Sequence, residues 1–226
     1  MSQDSQDKQT VLSFLKGVRD PVLNKDIVSL GFVKDVEVNG RQVHLKLSLT
    51  SPGCPHKDEI ISDVYRALEG YSVTLDLSYT VLSGSLVRKS GTRKVKNIIA
   101  VGSGKGGVGK STVTILLAYA LKRLGARVGI IDLDFYGATV PSMLGSSFEQ
   151  RVTEEGQLLP AEHEGIKIIS LGYFLPANAS VIWRGPMLTK AIHDFMDKVE
   201  WGELDYLLAD LPPGTGDVPI TLGQDR

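Results

Sequence analysis

Residues 102–112 read GSGKGGVGKST, and Gly104–Ser111 within them fit G-x-x-x-x-G-K-[ST], a spacing that builds a cradle for phosphate. The glycines let the backbone curl until its N–H groups converge on anionic oxygens. A helix starting where the loop ends turns its positive end toward the same anion. Lys110 is placed to neutralise the β- and γ-phosphates of a nucleotide, and Ser111 to offer its hydroxyl to Mg²⁺. The loop also holds Lys105, a lysine that such a cradle does not require.

Phosphate chemistry with Mg²⁺ needs carboxylates as well, because the metal keeps several waters that must be held in place. Two segments supply them. GIIDLDFYG presents Asp132 and Asp134, and DYLLADLPPGTGD presents Asp210 after an apolar run. Asp210 is expected to make the water-mediated metal contact, with Asp132 near the metal and Asp134 orienting the attacking water. ATP as its Mg²⁺ complex is expected on Gly104, Lys105, Gly106, Gly107, Val108, Gly109, Lys110, Ser111 and Thr112.

These residues need a scaffold, and the sequence describes one. NIIAVG, RVGIIDLD, IKIISLG and DYLLADL are short continuous apolar runs, which suit strands buried on both faces of a mostly parallel sheet. The phosphate loop lies between the first of these strands and the helix STVTILLAYALKRLG, so residues 97–226 read as an α/β domain.

Residues 1–82 follow a different pattern. KQTVLSFLKGV has helical spacing, and FVKDVEVNGRQVHLKLSLT alternates on both sides of Asn39-Gly40, which marks a tight hairpin turn. A helix with Ile60, Ile61, Val64, Tyr65 and Leu68 on one face follows, and YSVTLDLSYT alternates like a strand. The expectation is a small α+β domain. Between the two halves, residues 83–96 combine Gly and Ser with Arg88, Lys89, Arg93, Lys94 and Lys96. They read as a solvated flexible linker, the alternative being a docking strip for an acidic partner or nucleic acid.

Composition narrows the field further. With 25 Lys+Arg against 26 Asp+Glu over 226 residues, no global field recruits nucleic acid or an anionic membrane. The single cysteine, Cys54, excludes an intrachain disulfide and suits a reducing, cytoplasmic setting. The polar, acidic N-terminus lacks a signal-peptide pattern, and the apolar run Ile115–Leu121 is too short to span a bilayer. Binding to membrane or nucleic acid is not expected.

GKGGVGKST with DLDFYG and LADLPPGTGD resembles the deviant Walker A ATPases, which include MinD, ParA and the Mrp/ApbC iron–sulfur carriers. The resemblance implies that Lys105 reaches across a nucleotide-sandwich homodimer to the partner's phosphates, making it catalytic beside Lys110 and Asp134. DPVLNKDIVSLGFVKDVEV and LTSPGCPHKDEI resemble the small iron–sulfur maturation domain found alone in SufT-like proteins and fused in Mrp-type carriers. Residues 182–217 are also similar to the Mrp branch. The implied activity is a slow, Mg²⁺- and dimer-dependent ATPase that delivers iron–sulfur clusters to apoproteins alongside assembly factors. Alternatives are a MinD- or ParA-like positioning ATPase, or a non-catalytic nucleotide-binding or interaction fragment.

Carriers of this kind hold a bridging [4Fe–4S] cluster through a C-x-x-C pair from each subunit, and this chain stops at DVPITLGQDR with no such pair. One Cys54 per subunit gives a dimer two cluster ligands where four are needed. Cys54 lies just before a helix, where a thiolate is favoured and could hold a metal or cluster edge with help from His56. The equal alternative is a small residue packed in a turn. The later strands of the fold are missing too, so a C-terminally truncated chain with an apolar strand at its sheet edge is expected.

Overall fold

The computed structural model describes residues 3–83, 92, 94–134, 137–145, 151–170 and 185–214. The chain divides into two compact units, 1–82 and 83–226. Most of the basic segment, residues 84–91 and Arg93, lies outside the described residues.

In the first unit, helix α1 (Gln3–Leu15) precedes strands β1 (Val33–Asn39) and β2 (Gln42–Leu49), helix α2 (Lys57–Ala67) and strand β3 (Ser72–Tyr79). β1 pairs antiparallel with β2, and β3 joins β2 in parallel. Alternation gives the sheet one apolar face: Val36 and Val38 stand opposite Leu45 and Val43, which in turn stand beside Leu75 and Val73. That face packs with Val11 and Leu15 of α1 and Ile60 and Val64 of α2. The other face is polar, with His44 Nε2 3.0 Å from Asp76 Oδ2.

Two sequence expectations are corrected in this unit. Asn39 pairs with Gln42, so the hairpin loop is Gly40-Arg41, one residue later than expected. Gly40 alone of that pair has positive φ, at +60°, which matches a turn with glycine at its first central position. Cross-strand pairing explains the shift: a turn centred on Asn39-Gly40 would set Val38 against Arg41 instead of Val43. Tyr65, expected on the buried face of α2, is 47% exposed.

The second unit contains β4 (Val95–Val101), α3 (Lys110–Arg123), β5 (Val128–Asp132), α4 (Val140–Met143), β6 (Arg151–Val152), β7 (Leu158–Leu159), β8 (Ala161–His163), β9 (Ile166–Ser170), α5 (Gly185–Lys198) and β10 (Leu204–Asp210). Five strands form one sheet in the order β4-β10-β5-β9-β8; the first four are parallel and β8 runs antiparallel to β9. Among the described residues, β4 is an edge of this sheet.

Successive residues of the buried strands serve opposite faces. Val128, Ile130, Ile168 and Leu208 pack with Ile115 and Ala118 of α3. Ile131, Ile169, Leu207 and Ala209 pack with Ile192, Phe195 and Met196 of α5 and with Trp201. The result is an α/β/α layering with continuous apolar strands inside it.

Gly129 allows the close approach of Trp201. A Cβ there would come 2.7 Å from Leu204 Cδ1 and 3.0 Å from the Trp201 ring. Gly129→Ala is expected to cost about 2 kcal/mol, because the packed side chains must leave their places. A urea midpoint unchanged from that of the parent chain would contradict this packing account.

Asp205 ties together the starts of three strands. Its carboxylate accepts Lys96 Nζ at 2.8 Å and the Arg127 backbone N–H at 2.9 Å, and its carbonyl accepts Asn97 Nδ2 at 3.2 Å. Lys96, counted by the sequence with the linker charges, therefore belongs to β4. Burial opposes ionisation of Asp205, but hydrogen bonds from the Arg127 guanidinium and Lys96 outweigh it and pull the carboxyl down to about 2. A carboxyl lowered on folding stabilises the fold above its unfolded value, and that contribution fades as pH falls through the folded value. Asp205→Asn is thus expected to cost about 2 kcal/mol at about pH 7, the difference shrinking from about pH 4 toward pH 2. Urea unfolding across that range checks it; a penalty independent of pH would mean that charge is not the cause.

Candidate functional site

The strand ends of the second unit define where the site can form. Asp210 at the end of β10 stands in register with Val101 of β4 on one side and Asp132 of β5 on the other. The loop between β4 and α3 rises from this edge, the usual position for ligands of open parallel sheets. Gly107 and Gly109 adopt φ of +76° and +93°, and a Cβ at either would meet nothing within 4 Å. Backbone conformation, not space, therefore requires glycine at these two positions. Gly109 then caps α3, and Lys110 opens the helix.

The side chains behind the loop converge on Asp210, which is fully buried. Lys110 Nζ lies 2.9 Å from Asp210 Oδ2 and 3.6 Å from Asp134 Oδ2. Lys110 also donates to Ser111 Oγ at 3.3 Å, and Ser111 Oγ donates to Asp210 Oδ2 at 2.5 Å. On the other carboxylate oxygen, Thr114 Oγ1 donates at 2.8 Å. A buried carboxylate needs such partners, because oxygens left unpaired away from water are costly.

A cleft of about 450 Å³ opens above this cluster. Ser103, Gly106, Gly107 and Gly109–Thr112 form one wall. Asp134, Gly137, Thr139, Ser142, Met143 and Pro213 line the cleft as well. The volume falls in the range typical of small-molecule sites.

Of the residues singled out by sequence, Lys110, Ser111, Asp134 and Asp210 are brought together, and Gly106, Gly107, Gly109 and Thr112 line the same cleft. Gly104, Lys105 and Val108 are exposed and do not line it. Ser103 Oγ donates to the Lys105 carbonyl at 3.0 Å, which fixes the Lys105 backbone.

Asp132 sits behind the cleft, 1% exposed, with Ser170 Oγ 3.0 Å from its Oδ2 and the Asp134 N–H 3.1 Å from its Oδ1. Burial raises its carboxyl to about 7, with the Asp210 charge adding to the rise and the Asp134 N–H opposing it.

Cys54 is half-buried against the core of the first unit. Its backbone N–H donates to the Ser51 carbonyl at 3.3 Å, and its own carbonyl accepts the Lys57 N–H at 3.3 Å. His56, read as a surface residue that could assist the thiol, is partly exposed with its Nδ1 2.9 Å from Glu59 Oε2. Among the described residues, no group of three or more His, Cys, Asp or Glu is arranged to hold a metal ion.

Sequence reasoning missed Thr114, Thr139, Ser142, Met143 and Ser170. Thr114 carried a usable signal: it lies one helical turn beyond Lys110 and Ser111, so its hydroxyl shares their face. The others come from segments that only the fold brings to the site.

A family described as NUBPL iron-transfer P-loop NTPase matches residues 94–225, and one described as iron–sulfur cluster assembly protein matches residues 8–74. The chain is 45% identical over 219 residues to an iron–sulfur cluster carrier protein of Deinococcus radiodurans, covering 95% of this chain and 62% of that protein. It is 42% identical over 223 residues to a carrier of the same description from Synechocystis sp., covering 95% of this chain and 63% of the relative. The chain thus spans a little over three fifths of the length of these relatives.

A solved structure, the nucleotide-binding protein in complex with ADP from Archaeoglobus fulgidus, shares 44% identity with a TM-score of 0.52, over 60% of this chain and 52% of that one. The phosphate loop, its buried lysine–aspartate pair and a match over residues 94–225 together establish the relationship: the chain belongs to the iron-transfer P-loop NTPases.

Proposed function

We propose that this chain binds and hydrolyses ATP at the cleft, as the nucleotide-using part of a carrier that delivers iron–sulfur clusters to apoproteins. The observation that carries the reading is the convergence of Lys110, Ser111, Asp134 and Asp210 behind a glycine-shaped loop. The names of the relatives support the cluster-carrying role.

The residues present fit a Mg²⁺ ion, since the Ser111 hydroxyl and the Asp210 carboxylate offer adjacent hard oxygen donors. When bound with ATP, Mg²⁺ would offset charge on the β- and γ-phosphates. Loop N–H groups hold the phosphate oxygens, and Lys110 exchanges its carboxylate contacts for phosphate ones. Asp134, beside Lys110, orients the attacking water, and Lys105 of a second copy completes the charge around the phosphates. A single copy lacks that last group, so turnover is slow until two copies close on the nucleotide.

The cluster is cargo, and these residues do not supply a complete set to hold one. Cys54 is the single thiol, so two copies would bring two thiolates toward a four-thiolate cluster.

The chain works in a cytoplasmic setting, which a lone cysteine suits. No helix among the described residues is long and apolar enough to cross a membrane. The domain limits are then 1–82 and 95–226 with residues 83–94 as a linker, since β4 takes Val95 and Lys96 from the segment expected there. Trypsin should then cut first at Arg88, Lys89, Arg93 or Lys94 and leave two resistant fragments; early cutting elsewhere would reject those limits.

Isothermal titration with Mg-ATP and Mg-ADP, followed by phosphate-release assays, tests the nucleotide chemistry. Folded protein that binds neither nucleotide would end the ATPase reading. Transfer to an apo-ferredoxin after anaerobic reconstitution with iron and sulfide tests the carrier role in the same preparation.

A further inference from the structure

Asp132 was read from sequence as a neighbour of the metal, yet both of its oxygens are engaged inside the protein. Oδ2 accepts the Ser170 hydroxyl at 3.0 Å and Oδ1 accepts the Asp134 N–H at 3.1 Å. Asp210 differs: its carboxylate touches the side chains of Lys110 and Ser111, which line the cleft. In register, Asp132 stands between Asp210 of β10 and Ser170 of β9, in the middle of three adjacent strand ends. Only Leu133 separates it from Asp134, so its bond to the Asp134 N–H, together with the Leu133 N–H on the Asp210 carbonyl at 2.9 Å, directs the chain as it leaves β5.

We infer that Asp132 is a positioning residue: with Ser170 it holds the backbone of Asp134 so that the Asp134 carboxylate faces Lys110 across the cleft. The inference rests on the ATPase reading for its consequence, since Asp134 is the group that orients water there. Ser170 makes the end of β9 part of the device, linking the position of that strand to the geometry of hydrolysis. Metal holding then falls to Ser111 and Asp210 without Asp132.

The test uses Ser170→Ala, Asp132→Ala and Asp132→Asn in the 226-residue chain. ATP affinity, the Mg²⁺ concentration for half-maximal hydrolysis, kcat, and amide hydrogen exchange at residue 134 are measured for each. Asp132→Ala should lower kcat on the order of 100-fold and Ser170→Ala about tenfold, because small displacements of an orienting group are costly. ATP affinity and the Mg²⁺ midpoint should stay within about twofold in both, and exchange at residue 134 should accelerate. In Asp132→Asn the amide oxygen still accepts the Asp134 N–H and the amide nitrogen meets Ser170 Oγ, so kcat should remain within about threefold of the parent.

A Mg²⁺ midpoint raised about tenfold or more in Asp132→Asn would make Asp132 a metal-holding group and overturn the inference. Unchanged kcat and unchanged exchange in Ser170→Ala would overturn it equally. If Asp132→Ala does not fold, Ser170→Ala decides alone, since it leaves the carboxylate in place. Parent protein that binds no nucleotide would reject the ATPase reading, while exchange at residue 134 would still decide whether Asp132 and Ser170 hold that backbone.

Discussion

Replacing Asp210 by Ala is expected to lower ATP hydrolysis on the order of 1,000-fold at saturating ATP and to cost about 3 kcal/mol of stability. Both effects come from one place. The carboxylate is fully buried and accepts Ser111 Oγ at 2.5 Å and Thr114 Oγ1 at 2.8 Å, with Lys110 Nζ 2.9 Å away. Removing it leaves an ammonium and two hydroxyls without their shared partner in a poorly solvated site, the situation in which breaking a buried pair is most damaging. Hydrolysis suffers separately, because the carboxylate that with Ser111 would hold Mg²⁺ is gone. Phosphate release and urea unfolding read the two losses independently. Hydrolysis within about tenfold of the parent would remove Asp210 from the metal-holding role.

Lys105→Ala should separate binding from chemistry. The Lys105 side chain is exposed and does not line the cleft, so ATP affinity should change no more than about threefold. Hydrolysis should fall on the order of 1,000-fold if the lysine completes the partner's site, as a charge supplied in trans does. Mixing supplies the sharper check. A pair formed from one Lys105→Ala copy and one Lys110→Ala copy contains one intact site, so a mixture of two inactive variants should regain part of the parent activity. A mixture as inactive as its components, with pairing confirmed by size-exclusion chromatography, would reject action in trans.

The phosphate loop was legible because its residues are contiguous and its constraints local. Gly107 and Gly109 require a backbone conformation, and Lys110 and Ser111 follow at fixed spacing. The strands were legible for a related reason: burial on both faces leaves uninterrupted apolar runs such as Leu207–Ala209. What sequence could not supply was register. Whether Asp132 points into the cleft or toward Ser170 depends on how β5 meets β9, thirty-eight residues away. Lys96 looked like one more linker charge because its partner, Asp205, is 109 residues distant. The hairpin turn moved by one residue because cross-strand valine pairing outweighed the local preference of Asn39-Gly40. Strands as short as β6 and β7, two residues each, show no period at all.

The edge position of β4 has a mechanical meaning. Among the described residues this strand is bonded along one side, to β10, and is clamped at its base where Lys96 and Asn97 meet Asp205. Its far end carries the phosphate loop, so the strand acts as a beam fixed at one end and loaded at the other. At that far end the strand has one hydrogen-bonded neighbour among the described residues, β10, which ends at Asp210. The strand that braces the loop's support thus also carries the carboxylate that Lys110 and Ser111 meet, so one strand pair sets the positions of both the loop and Asp210.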